Sequence, residues 1–172
     1  MRSAQAKITI DRSPEEIYEY LLDIGSRTEF APDLFREFHL TRVEPKGIGA
    51  GARYRMHRKL RDRRAGTTIT QAVSGQRILE EGSTGRGGRV DMAIEFLLEE
   101  QSGGATKVTW ILETYPLNPA DRLREFGERR QIQRRMNRGI KRLRDILEGA
   151  PGAVRGDRPT VAGLDPTYVP NP

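Results

Sequence analysis

The chain has 172 residues, enough for one domain and a tail, and its 35% hydrophobic fraction suffices for one core. It has no cysteine, which excludes disulfides, thiol catalysis and thiolate metal sites and suits a reducing compartment, so the expected location is cytoplasmic. No run approaches the ~20 apolar residues of a membrane span, while a net charge of +6 raises the question of an anionic partner.

Ala4 to Ile10 alternates apolar and polar residues and predicts a half-buried strand. Ser13-Pro14-Glu15-Glu16 supplies a helix cap, a proline at the first helical position and a capping box. Ile17, Leu21 and Ile24 then lie on one face, so a short helix should end near Gly25. Arg27 to Phe35, broken by Pro32, reads as one more helical turn and a loop. Glu37 to Glu44 reads as a strand, although Phe38, Leu40 and Val43 share no single parity.

Pro45 to Gly51 is a glycine-rich turn. Its alternate glycines resemble a phosphate loop, but that chemistry needs a helix N-terminus directly behind, and here a strand pattern follows. Ala52 to Leu60 places Ala52, Tyr54, Met56 and Leu60 on one face and Arg53, Arg55, His57 and Lys59 on the other. Thr67 to Val73 should be a strand with Ile69, Gln71 and Val73 together on one side, and Gln76 to Thr84 another. Val90 to Leu98 alternates most cleanly, with Val90, Met92, Ile94, Phe96 and Leu98 facing in. Thr106 to Tyr115 turns Val108, Trp110 and Leu112 inward. With the first strand this makes about seven, joined by short turns as an antiparallel meander.

Asn118 to Gly149 carries the marks of one long helix: Asn and Pro at its start, Gly and Pro at its stop. Ile132, Met136, Gly139, Ile140, Leu143, Ile146 and Leu147 share an arc of about 120°. Leu123 and Phe126 fall outside that arc. Either the helix bends near Gly127 and re-aims them, or Arg122, Glu125 and Arg129 point along the arc instead. Residues 150–172 hold five prolines and three glycines and read as a disordered or surface-draped tail beyond a domain of residues 1–149.

The order of these elements carries a resemblance. The segment Ile8-Thr9-Ile10-Asp11-Arg12-Ser13-Pro14-Glu15-Glu16-Ile17-Tyr18-Glu19-Tyr20-Leu21, then Gly49-Ala50-Gly51, then Gly104-Ala105-Thr106-Lys107-Val108-Thr109-Trp110, resembles the START-like superfamily, also called the polyketide cyclase/dehydrase and lipid transport group or the Bet v 1-like fold. The resemblance covers about residues 4–148. It implies an α+β helix-grip fold, a curved antiparallel sheet wrapped around the C-terminal helix, with two short helices after the first strand and an apolar cavity between sheet and helix. It further implies a cavity lined by Tyr54, Met56, Ile69, Ile94, Phe96, Trp110 and Leu112, with Met136 from the facing helix; Leu123 and Phe126 join that lining if the helix bends, and Arg122, Glu125 and Arg129 sit at a polar mouth if it does not. Each lining residue reads equally as core. Members of the group include lipid and sterol carriers, polyketide aromatase/cyclases and ubiquinone-binding proteins, so the fold alone does not select an activity.

Catalytic patterns are sparse. His39 and His57 are the only histidines; His57 shares a face with Arg53, Arg55 and Lys59, no pair has metal spacing, and no serine sits in a Gly-x-Ser-x-Gly elbow. An aldol cyclisation could use a positioned arginine or tyrosine with water, which Tyr54 and Arg129 could supply, but nothing in the sequence singles them out as catalytic. The leading expectation is therefore a binding, and by extension transport, protein for a hydrophobic small molecule such as a lipid, quinone or polyketide, with no cofactor and no metal. A polyketide aromatase/cyclase or dehydratase is the alternative. The third reading is a nucleic-acid or ribosome-binding module, or peripheral contact with anionic lipid, through Arg53–Arg64 and the outer face of the long helix. Against it, no aromatic is interleaved with those bases as a stacking platform, and solvated faces explain them as well.

Overall fold

The computed structural model describes residues 2–56, 62–116, 119–153 and 155–161, with side chains for 4–56, 62–85, 87–116, 129–153 and 155–159. Strand β1 (Arg2–Ile10) leads into helices α1 (Pro14–Leu22) and α2 (Ser26–Phe30). Six strands follow: β2 (Phe35–Leu40), β3 (Gly51–Met56), β4 (Arg63–Val73), β5 (Arg77–Thr84), β6 (Val90–Glu100) and β7 (Thr106–Tyr115). Helix α3 (Pro119–Leu147) and the two-residue strand β8 (Thr160–Val161) complete the described chain. The strands form one sheet in the order β1-β7-β6-β5-β4-β3-β2-β8. Pairs among the first seven strands are antiparallel, and β8 joins β2 in parallel. The sheet curls into a half-barrel and holds α3, which is the helix-grip arrangement.

Local chemistry sets the elements. Ser13 Oγ accepts the Glu16 N–H at 3.3 Å while the Glu16 carboxylate accepts the Ser13 N–H at 3.1 Å, the capping box anticipated for α1. On α3, Ile132, Met136, Ile140, Leu143 and Ile146 are buried, so the second half of the helix carries the apolar stripe. Gly139 lets the helix come close: a Cβ there would lie 3.0 Å from the indole of Trp110 and 3.2 Å from Ala31 Cβ. Gln133 reaches β1, where its amide accepts the Gln5 N–H at 3.1 Å and donates to the Gln5 carbonyl.

Two β-bulges correct the sequence reading. In β2 the pairing with β3 shifts between Arg36 and His39, and Glu37 adopts φ 46°. The inserted residue turns Phe35 inward together with Phe38 and Leu40, although their spacings differ in parity. The strand ends at Leu40 and not Glu44, leaving Val43 76% exposed. In β4 the register shifts between Ile69 and Gln71. Ile69 is fully buried, but Gln71 and Val73 are exposed, so these three do not share a side.

Helix α3 is continuous through Gly127. The side chains of Arg122, Leu123, Glu125 and Phe126 lie outside the described residues, as does His57.

Gly66 and Gly82 mark a close backbone approach between β4 and β5: a Cβ on Gly82 would overlap the carbonyl oxygen of Gly66. Main chain cannot yield as a side chain can. Gly82→Val should therefore cost about 2–4 kcal/mol in urea unfolding. Gly103→Ala, at φ 91° with nothing within 4 Å, should cost only the roughly 1 kcal/mol of its left-handed backbone.

Candidate functional site

Among the described residues, the strands carry one buried charge into the concave face of the sheet. On β5 the inward series runs Ile78, Glu80, and Glu80 lies opposite Ile69 of β4 and Ile94 of β6. Its carboxylate is 1% exposed and is met by Arg27 of α2, also 1% exposed. Arg27 Nε donates to Glu80 Oε1 at 2.8 Å, and a terminal nitrogen lies 2.7 Å from the same oxygen. The remaining guanidinium donors reach Ser26 Oγ at 2.8 Å and the carbonyl of Leu21 at 2.7 Å. The guanidinium also sits over the Phe96 ring, 4.7 Å from its centroid.

The network continues across the sheet. Thr67 of β4 donates to Glu80 Oε2 at 3.0 Å, and Tyr54 Oη of β3 lies 3.5 Å from Thr67 Oγ1. Around it the rings of Phe30, Phe35, Phe38, Tyr54, Phe96 and Trp110 interlock. Trp110 stacks on Phe96 at 5.7 Å and meets the edge of Phe30 at 5.6 Å. Tyr54 stacks on Phe38 at 5.3 Å and meets Phe35 edge-on at 4.9 Å. Among the described residues, two donors of this aromatic cluster are left over. Trp110 Nε1, fully buried, has no hydrogen-bond partner, and the Tyr54 hydroxyl has only the long contact to Thr67. A buried indole N–H without an acceptor costs about 1–3 kcal/mol.

The charges are thus internally satisfied and the free hydrogen-bonding capacity is neutral. Arg27 is already neutralised and its donors are taken, so it offers no free charge to the interior.

Of the ten lining residues expected from the resemblance, Tyr54, Met56, Ile69, Ile94, Phe96, Trp110, Leu112 and Met136 are all buried in this one core. Leu123 and Phe126 lie outside the described side chains. Of the three residues expected at a polar mouth, Arg129 is exposed and Arg122 and Glu125 lie outside the described side chains. Sequence reading missed Arg27, Thr67 and Glu80. The available signal was Glu80 at an inward position of a strand whose neighbours are apolar; its partner, fifty-three residues away, had none.

Of the basic stretch Arg53–Arg64, residues 57–61 lie outside the described residues, and the exposed bases that are described sit on the opposite face. Arg36, Arg55 and Arg64 are register partners across β2, β3 and β4, and all are exposed, with Arg53 beside them. Glu37 relieves part of the repulsion through an ion pair to Arg55 at 2.8 Å. Arg135 of α3 is made less basic by burial and then by Arg36 and Arg138. No group of three His, Asp or Glu residues among those described could hold a metal ion, and none of the described helices is long and apolar enough to cross a membrane.

Two outcomes follow from the buried network. Arg27→Met leaves Glu80 uncompensated and should destabilise by about 3–5 kcal/mol, whereas Arg27→Met combined with Glu80→Met should recover most of that loss in chemical denaturation. Burial, then the Glu80 charge, push the Tyr54 phenol well above the usual 10.0, and burial, then Glu29, do the same to Tyr20. A raised folded-state pKa contributes stability that is complete below the unfolded value and is lost as pH rises toward the folded one. Ultraviolet phenolate titrations of Tyr54→Phe and Tyr20→Phe should accordingly superimpose on wild type until alkaline unfolding begins.

The family model described as polyketide cyclase/dehydrase and lipid transport matches residues 1–148. No curated protein sequence matches the chain. Similar solved structures include the protein TTHA0849 of Thermus thermophilus, at TM-score 0.65 and 15% identity over 88% of this chain and 100% of that one. The KanY protein matches at TM-score 0.66 and 14% identity, covering 86% and 98%. The major latex-like protein 151 of Panax ginseng matches at TM-score 0.54 and 12% identity, covering 80% and 97%. At these identities the likeness is one of fold.

Proposed function

The chain belongs to the polyketide cyclase/dehydrase and lipid transport family, and from that premise we propose that it binds a hydrophobic, ring-bearing small molecule with oxygen acceptors, of quinone or polyketide type, between the sheet and α3. The observation that carries this reading is Trp110 Nε1, a buried donor with no partner among the described residues, set in a cluster of aromatic rings. A carbonyl oxygen on the ligand would accept that hydrogen bond and relieve the desolvation cost. The Tyr54 hydroxyl is a second donor of the same kind. The ligand rings would stack with Phe30, Phe96 and Trp110, where offset and edge-on contacts contribute about 0.5–1.5 kcal/mol each.

A catalytic reading is favoured by one specific feature, the chain Tyr54–Thr67–Glu80. A neutral tyrosine kept protonated by its surroundings can hydrogen-bond a ketone oxygen while water takes the α-proton of a neighbouring methylene. The enolate carbon then bonds to the ketone carbon, the C=O π pair moves to the oxygen, and that oxygen is protonated through Tyr54, which regains its proton from the water, as in aldol cyclisation. In this version Arg27 acts through Glu80 as a positioning residue.

Isothermal titration with a polycyclic quinone and with the parent hydrocarbon tests the binding proposal. Trp110→Phe should weaken the quinone by about 3–10-fold, one hydrogen bond's worth, and leave the hydrocarbon unchanged. Equal losses for both ligands would reduce Trp110 to packing, and no binding of either would remove the reading. For the catalytic version, Tyr54→Phe should abolish turnover of a linear poly-β-ketone while weakening its binding by no more than about 3–10-fold, the worth of one hydrogen bond.

A further inference from the structure

Helix α2 has two charged residues with opposite fates. Arg27 turns inward to Glu80, while Glu29 turns the other way and meets the C-terminal segment. The Glu29 carboxylate, 2% exposed, accepts from Arg158 Nε at 2.9 Å and from the Tyr20 hydroxyl at 3.2 Å, with Arg155 at 3.7 Å. The same segment binds α2 through its main chain. Gly156 N–H donates to the Glu29 carbonyl at 3.0 Å, and Thr28 Oγ1 donates to the Asp157 carbonyl at 2.7 Å. Arg158 also approaches Asp23 at 3.7 Å, and β8 then adds to β2 beside His39 and Leu40. The approach at Gly156 is so close that a Cβ would overlap the Thr28 carbonyl oxygen. The segment that makes these contacts lies beyond residue 148, where the family match ends.

Trp110 exposes none of its surface, and Phe30 of α2 is one of the rings that cover it. Any molecule reaching Nε1 must therefore displace packing. Helix α2 is the natural element to move: it has five residues, no side-chain N-cap, and loop connections on both sides.

We propose that α2 is a door to the interior and that residues 155–161 form its latch. The access role rests on the ligand-binding reading above; the latch itself does not. The chemistry favours a reversible latch. Arg155 is 61% and Arg158 71% exposed, so their bonds to Glu29 face solvent on one side and are weakened by salt. Release would leave the Glu29 carboxylate with only Tyr20, against a helix whose other side stays anchored through Arg27.

Trp110 is the single tryptophan, so its fluorescence reports the door without any ligand. The test measures acrylamide quenching in the full chain, together with amide exchange of α2 and of β6–β7. Gly156→Val, which cannot dock, and the pair Arg155→Ser with Arg158→Ser should raise the quenching rate constant at least fivefold. Exchange in α2 should rise by a similar factor while β6–β7 stays at the wild-type rate. Added sodium chloride should open wild type but not the double-serine variant, and Arg158→Lys should restore part of the protection. Unchanged quenching in both variants would overturn the proposal, as would faster exchange in β6–β7 of equal size, which denotes global loosening. If α2 exchanges faster but Trp110 stays protected, the segment binds α2 and α2 is not the door. Stopped-flow binding of the polycyclic quinone completes the test: on- and off-rates should rise together with Kd within about twofold. A wild type that shows the acrylamide response yet binds no quinone would count against the ligand reading and leave the latch standing.

Discussion

The arrangement depends on one desolvated ion pair. Arg27 and Glu80 are each 1% exposed, and neither is tolerable alone. A charge removed from water costs several kcal/mol unless its partner and its remaining hydrogen bonds are in place. Here they are, through Leu21, Ser26 and Thr67. Completing that set fixes the end of α1, the seat of α2 and the registers of β4 and β5 together. A shift of one residue in β5 would carry Glu80 to the outer face and leave Arg27 facing hydrocarbon. An interior otherwise made of interchangeable apolar side chains thereby acquires a unique geometry.

The same saturation decides which polar groups the interior leaves over. The guanidinium and carboxylate consume one another, so among the described residues the buried groups short of hydrogen bonds are neutral: the donors Trp110 Nε1 and Tyr54 Oη and the acceptor Gln131 Oε1. Ion pairing is instead used structurally, on both sides of α2. The inner bond, buried in low dielectric, is strong and insensitive to salt; the outer one, to Arg155 and Arg158, is wet and weak. A short helix held tightly on one side and loosely on the other has a preferred direction of motion.

Much of the fold was legible in local sequence. Ser13-Pro14-Glu15-Glu16 specifies the α1 cap by chemistry confined to four residues, and the alternation from Val90 to Leu98 sets the facing of β6. Lost were features where one inserted residue breaks a period. The bulges at Glu37 and near Gln71 change the facing of everything after them, and near Gln71 the regular spacing of Ile69, Gln71 and Val73 conceals the shift. The site divided in the same way. Trp110 and Tyr54 were placed on the buried face because inward strand positions are periodic. Arg27 and Glu80 were missed because their meaning is pairwise and long-range: an arginine in a five-residue helix looks like surface until the carboxylate opposite is known.

Gln133 and β8 have a wider consequence. A curled sheet that does not close has two free margins, each a row of unpaired N–H and C=O groups able to recruit strands from other molecules. On β1 the Gln133 side-chain amide offers Gln5 a donor and an acceptor, the exchange that another strand would make, and Glu148 takes the N–H of Asp11 at 2.9 Å. On β2 the place of the next strand is taken by Thr160 and Val161. Both margins are occupied by the chain itself, locally and without closing the barrel. The molecule can keep an open-sided architecture, with room for its interior to breathe, while offering little template for amyloid-like stacking.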